Sequence, residues 1–288
     1  MVISTPKHFS VDQCISSFQR SDKDILVKVD KNSVSKVIKI GKSPILLQLN
    51  IQTPIKLVHK SDNSKNDLLI KEYVEEWLDL STDLEQFYKV AHEDSILKPI
   101  VSKHQNLRLT RIPDLFETLS WAIIGQQVNL TFAYQVRNAF IETFGTTHEF
   151  DGKSFHTFPD FEKVAHLKVD DLLPMKFSRR KAEYVIGCAR LMESGELSKS
   201  DLKSMEFQEA HDHLVSIRGI GAWTANYVML RCLGFTDAYP AGDSALKAAI
   251  KLSLGKEQLS LEEIYEVGER WKGWRGYATL YLWRSLSD

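Results

Sequence analysis

The chain has 288 residues, 43% of them apolar and 26% charged, a balance that excludes a disordered or fibrous protein and leaves ample length for one or two cores. It has no apolar run of the ~18 residues or more that a membrane-spanning helix needs, and its start, MVISTPKHFSVDQC, lacks an apolar secretory segment, so a cytoplasmic protein is expected. A net charge of −1 and a pI near 6.8 exclude attraction to nucleic acid by bulk charge. Any such binding has to rest on local patches and backbone amides.

Residues 25–60 alternate with period two, as ILVKVD, SVSKVIKIG, PILLQLNIQ and PIKLVHK separated by KN, GKSP and TP. This pattern predicts an antiparallel sheet of three or four strands. SDNSKND (61–67) reads as a polar turn before the helix LLIKEYVEEWL. After Leu80 no strand pattern stands out. Helical periodicity recurs over 83–91, 115–125, 131–144, 181–193, 207–217, 222–233, 244–253 and 261–271. The expected organisation is a small α+β domain over residues 1–90, an antiparallel sheet with helices, followed by an all-helical domain over 91–288.

Cys14, Cys188 and Cys232 are too few and too far apart for a disulfide frame, and they cannot supply four thiolates to an iron–sulfur cluster. The nine histidines show no metal-ligand spacing. No metal and no cofactor are expected.

The most informative stretch is Leu214 to Ala245, LVSIRGIGAWTANYVMLRCLGFTDAYPAGDSA. Gly219-Ile220-Gly221 separates two helical patterns. Glycines at both ends of a turn let several N–H groups approach one anion, and a helix opening after Gly221 aims its positive dipole end at the same place. Taken singly, Gly-x-Gly is also the ordinary make-up of a tight helical hairpin. Asp243, just ahead of an apolar helical pattern, reads equally well as an N-cap. Together, an acid at fixed distance from a phosphate seat suggests chemistry on nucleic acid.

This segment resembles the helix-hairpin-helix DNA glycosylases, and within them the alkylation-repair branch of the 3-methyladenine-DNA glycosylase II type. The resemblance rests on LSWAIIGQQVN (119–129), GIGAWTANY (219–227), PAGDSALK (240–247) and WKGWRGYATLYLW (271–283), in that order, and covers the chain from about Leu80 onward. It implies a helix-hairpin-helix glycosylase core behind the α+β domain, with Gly219, Ile220 and Gly221 as the DNA-binding hairpin. It likewise implies Asp243 as the family's essential aspartate and Trp223, Tyr227 and Trp283 as the walls of the base pocket. Gln127 falls at the position of the wedge that fills the gap left by an extruded base. Some relatives carry leucine there, and a capping amide at a helix break is the alternative.

The chemistry suits those residue types. An alkylated purine is cationic and gains roughly 0.5–2 kcal/mol over a neutral base between electron-rich rings. A carboxylate beside the sugar can stabilise the positive charge that develops as the glycosidic bond breaks, and can orient water. Where strand-nicking relatives carry a Schiff-base lysine, this chain has Trp223, which implies a monofunctional enzyme that leaves an abasic site. The resemblance further implies damaged double-stranded DNA as partner, no membrane, and a monomer. A hairpin of this family can hold a monovalent cation through backbone carbonyls; the sequence leaves that open.

The basic residues Lys176, Arg179, Arg180 and Lys181, and Lys272 and Arg275, read either as phosphate contacts or as solvated helix faces. WKGWRGYATLYLW reads also as a structural clamp. Phe18 reads as core, with the resemblance suggesting an aromatic reaching toward the pocket. Two other functions stay open: a glycosylase for oxidised or mismatched bases, and a non-catalytic helix-hairpin-helix module in which Asp243 is only a helix cap.

Overall fold

The structure is a computed structural model that describes residues 1–19, 23–60 and 66–287. Most of the turn expected at 61–67 lies outside the described residues. The strands are β1 (Val2–Ile3), β2 (Val27–Asp30), β3 (Ser33–Ile40), β4 (Ser43–Asn50), β5 (Ile55–Lys60), β6 (Thr146–Phe150) and β7 (Lys153–Thr157). The helices are α1 (Val11–Gln19), α2 (Asp67–Trp77), α3 (Glu85–Glu93), α4 (Leu97–Lys103), α5 (Leu115–Gly125), α6 (Leu130–Phe144), α7 (Phe161–Ala165), α8 (Val169–Leu172), α9 (Arg179–Glu193), α10 (Lys199–Ser204), α11 (Phe207–Ser216), α12 (Ala222–Val228), α13 (Ser244–Leu254), α14 (Leu261–Glu269) and α15 (Arg275–Ser285).

The period-two segments form a five-stranded antiparallel sheet in the order β1-β5-β4-β3-β2. The added strand, β1, is only two residues long and pairs with β5 through Val2↔Lys56 and Ile3↔Ile55, too short to show a period. Alternation gives the sheet two faces. Val34, Ile38, Ile45, Leu47 and Leu49 pack with Ile15, Ile70, Val74 and Trp77 into one core, and Val37 and Leu46 face the other way.

That second face corrects the expectation of no strand after Leu80. β6 and β7 form a hairpin around Asp151-Gly152, both at positive φ (51° and 71°), the backbone that a two-residue Asp-Gly turn adopts. Phe155 of β7 packs on Val37 and Leu46, and the Lys28 ammonium lies 4.5 Å from the centre of its ring. The hairpin therefore covers the back of the first sheet from within the helical part of the chain.

The remaining helices surround a larger core running from Leu84 to Leu282. At its centre is α5, buried on nearly every side. Its N-terminus is capped by Asp114, which accepts from the Glu117 N–H at 2.6 Å. No helix of the described residues is long and apolar enough to cross a membrane. The fold is a small N-terminal antiparallel sheet with helices, followed by a helical helix-hairpin-helix core.

Candidate active site

The hairpin joins α11 to α12. Ile220 is its buried anchor, and its N–H returns to the Ile217 carbonyl at 3.0 Å. Gly219 sits at φ +94°, and a Cβ there would overlap the ring of Tyr184 on α9; both facts require glycine. Gly221 is different. It is the extended N-cap of α12 (φ −93°, ψ 175°), with open space where a Cβ would stand and no side chain to cap the helix. The first N–H groups of α12 lack intrahelical partners and follow a residue with no side-chain bulk.

The end of α5 is bolted to this hairpin. The Gln126 amide donates to the Gly219 carbonyl and the Thr224 hydroxyl, both at 3.0 Å. Lys181 donates to the carbonyls of Ile124 and Gln126 at 2.8 and 2.7 Å. Burial pushes its pKa below the usual lysine value. Lys181 thus commits two of its three ammonium hydrogens to backbone carbonyls. It closes the C-terminus of α5, where cations suit the helix dipole. Gln127 follows with φ +54° and is exposed on the cleft rim; the amide that bridges α5 to the hairpin belongs to its neighbour Gln126.

A cleft of about 1390 Å³ opens beside the hairpin, lined by Trp121, Gln127, Tyr134, Trp223, Tyr227, Asp243 and Trp283 among others. The four residues read as acid and pocket converge in it. Asp243 is indeed the N-cap of α13, with Oδ1 accepting from Leu246 N–H at 2.8 Å. The same Oδ1 accepts from Trp283 Nε1 at 2.8 Å, and Oδ2 accepts from Trp223 Nε1 at 3.1 Å. The rings of Trp223 and Tyr227 lie 5.6 Å apart and those of Tyr227 and Trp283 6.3 Å apart. The two tryptophans therefore clamp the carboxylate with their N–H groups while their rings stay in the aromatic row.

Several cleft residues escape the sequence reading. Trp121 donates its indole N–H to the Tyr227 oxygen at 2.9 Å and packs on Tyr134 at 4.8 Å. The Arg231 guanidinium lies 5.7 Å from the centre of the Tyr227 ring, so the pocket is not purely aromatic. On the sheet side, Arg137 binds Glu117 at 2.8 Å and Asp24 at 2.9 Å, and Lys36 lies 3.5 Å from Glu117. Burial alone would lower the pKa of Arg137 and Lys36, yet the facing carboxylates hold both above their usual values. Asp24 shows the mirror effect: burial raises it, but Arg137 outweighs burial and holds it below the usual aspartate value. Beside them, burial pushes the Tyr73 phenol up to about 12.

Phe18 packs edge-on against Trp77 at 5.1 Å and also reaches the cleft. Arg275 is bound by Asp237 at 2.6 Å and Glu269 at 3.1 Å, and Trp271 is fully buried, so that run is a clamp around α15. Among the described residues no group of His, Cys, Asp and Glu side chains could hold a metal ion.

A glycine hairpin beside an aromatic cleft that ends on a clamped aspartate defines a class, and the comparisons agree. Residues 120–272 match the HhH-GPD superfamily of base excision DNA repair proteins, and residues 2–119 match the 8-oxoguanine DNA glycosylase N-terminal domain. The chain belongs to the HhH-GPD superfamily. It is similar to the DNA-3-methyladenine glycosylase of Bacillus subtilis (strain 168), with 40% identity over 294 residues, 99% of this chain and 97% of that one. The solved 3-methyladenine DNA-glycosylase from Archaeoglobus fulgidus shares the fold with a TM-score of 0.87 at 22% identity, over 98% of this chain and 97% of that one. The 8-oxoguanine glycosylase/lyase of Clostridium acetobutylicum, solved with double-stranded DNA, gives 0.77 at 21% identity, over 100% and 99%.

Proposed function

We propose that the protein is a monofunctional DNA glycosylase of base excision repair that releases alkylated purines of the 3-methyladenine and 7-methylguanine type from double-stranded DNA. The observation that carries this is Asp243: a carboxylate held by two pocket indoles, at the end of an aromatic row, beside a hairpin with open amides. The Bacillus subtilis relative that matches nearly the whole chain bears the name DNA-3-methyladenine glycosylase.

In this reading, α12 amides beside Gly221 seat a DNA phosphate, and Gln127 enters the stack as the base leaves it. The extruded base lies among Trp223, Tyr227 and Trp283, its face toward the indole rings. The N-glycosidic bond then lengthens, the base departs with the bonding electrons, and positive charge grows on the sugar facing Asp243. A water oxygen bonds to the sugar carbon and passes its proton to the Asp243 carboxylate, which releases it to solvent, leaving a free base and an abasic site. Trp223 has no amine to form a Schiff base. The reading calls for no metal and no cofactor, and for a monomer working within the cell.

The test is chromatographic release of free bases from methylated duplex DNA. Wild-type protein should release methylated purines, and strands should nick only after hot alkali. Asp243→Asn should lower release by roughly 100- to 1000-fold, while stability changes by about 1 kcal/mol. Tight DNA binding with no release from this substrate would leave a glycosylase for another lesion class or a binding module, which a panel of oxidised and mismatched substrates separates.

A further inference from the structure

The pocket holds three polar hydrogens on its aromatic row, and two are committed: the indole N–H groups of Trp223 and Trp283 both go to Asp243. The third is the Tyr227 hydroxyl. A phenol oxygen has one hydrogen and two lone pairs, whereas indole N–H and guanidinium can only donate. Tyr227 accepts from Trp121 Nε1 at 2.9 Å and from Arg231 Nη1 at 3.5 Å. Both lone pairs are engaged. Its own hydrogen has no acceptor among the described residues, although Tyr227 is only 8% exposed and that exposure is toward the cleft.

We propose that Tyr227 donates a hydrogen bond to the extruded base, with Trp121 as the positioning residue that fixes the hydroxyl. This rests on the base-pocket reading above and adds to it a polar recognition contact. A buried hydroxyl without an acceptor costs free energy that an arriving acceptor recovers. Trp121 is itself held, its ring packed on Tyr134 and 5.5 Å from the Arg137 guanidinium, which Glu117 and Asp24 pin in turn. The direction of the Tyr227 hydrogen is therefore set before a base arrives.

Two lesions made together by methylation provide the test, because no ring position accepts in both. 7-Methylguanine offers O6 and N3, with N7 blocked by its methyl and N1 carrying hydrogen. 3-Methyladenine offers N1 and N7, with N3 blocked and an amino group at position 6. One pool of methylated duplex DNA is digested with wild type, Tyr227→Phe and Trp121→Phe, and the ratio of the two released bases is measured. Tyr227→Phe should shift that ratio by roughly three- to tenfold, and the sign identifies the edge that is read. Trp121→Phe keeps an aromatic ring on Tyr134 but frees the hydroxyl, so its ratio should move the same way by less. Thermal melting of each variant accompanies the assay, since a merely structural loss lowers both rates and leaves the ratio alone. An unchanged ratio in Tyr227→Phe overturns the proposal while the glycosylase reading stands. An unchanged ratio in Trp121→Phe alone overturns the positioning role. A wild-type protein that releases neither base overturns the functional reading and this proposal with it.

Discussion

The cleft has two polar walls built on opposite plans. On one, Asp243 is held by three neutral N–H donors, from Leu246, Trp223 and Trp283. On the other, Asp24, Glu117, Arg137 and Lys36 pair among themselves. The second wall neutralises itself, two acids against two bases, and provides a fixed surface between the sheet and α5–α6. The first wall does not. Neutral donors orient the carboxylate without cancelling it, so its negative charge remains for whatever enters. A buried ionic cluster is thus a poor marker of a reactive centre, and a lone acid held by dipoles is a good one.

The largest test of this contrast removes the self-neutralising wall. Arg137→Met leaves the buried Glu117 and the half-buried Asp24 without their main partner and should cost about 3–5 kcal/mol in urea unfolding. Base release per folded molecule should stay within roughly tenfold of wild type. The pH dependence carries a signature. The folded Asp24 pKa lies below its ordinary value, so its contribution is present above the ordinary aspartate range and is lost as pH falls through the lowered value. Arg137→Met should flatten that acid-side slope. Loss of release as steep as that of Asp243→Asn, in a variant still folded, would refute the division of labour between the walls.

A second test separates shape from function within the hairpin. Gly219→Ala forces a side chain into positive φ and into the Tyr184 ring, and should cost roughly 1–3 kcal/mol of stability. Gly221→Ala meets no atom, costs less than about 1 kcal/mol, and crowds only the α12 amides. It should weaken binding to lesion-bearing and undamaged duplex alike, read by fluorescence anisotropy at fixed salt. Unchanged affinity in Gly221→Ala would remove the hairpin amides from DNA binding.

What the sequence discloses follows from where each signal lies along the chain. Asp243, Trp223, Tyr227 and Trp283 are legible because short runs carry them, and the structure brings all four together. The period-two segments foretell the first sheet because its inner face is buried. β6–β7 escape because TTHEF and KSFHT are largely polar, and the signal left is Asp151-Gly152, a turn pair usable without any structure. Trp121 and Glu117 escape for another reason. α5 is buried nearly all round, so its periodicity reports no face, and their partners Tyr227 and Arg137 lie 106 and 20 positions away. Lys181 groups with basic neighbours in the sequence because proximity along the chain cannot reveal a carbonyl acceptor 55 residues earlier.

The smallest effect concerns how Trp223 divides its ring between the two tasks. Trp223→Phe keeps an aromatic face but offers no N–H to Asp243 Oδ2, a loss felt equally by every lesion, so release rates should fall together. Trp223→Leu also removes the face. Cationic 7-methylguanine should then lose a further roughly 2- to 30-fold relative to hypoxanthine, the neutral deaminated purine released from a parallel inosine-bearing duplex, the span of a cation–π term. The low end is the more natural expectation, because Arg231 already lies 5.7 Å from the Tyr227 ring and opposes a second cation there. If leucine leaves the ratio of the two bases where phenylalanine leaves it, Trp223 serves only Asp243, and the charge of the lesion is read elsewhere in the row.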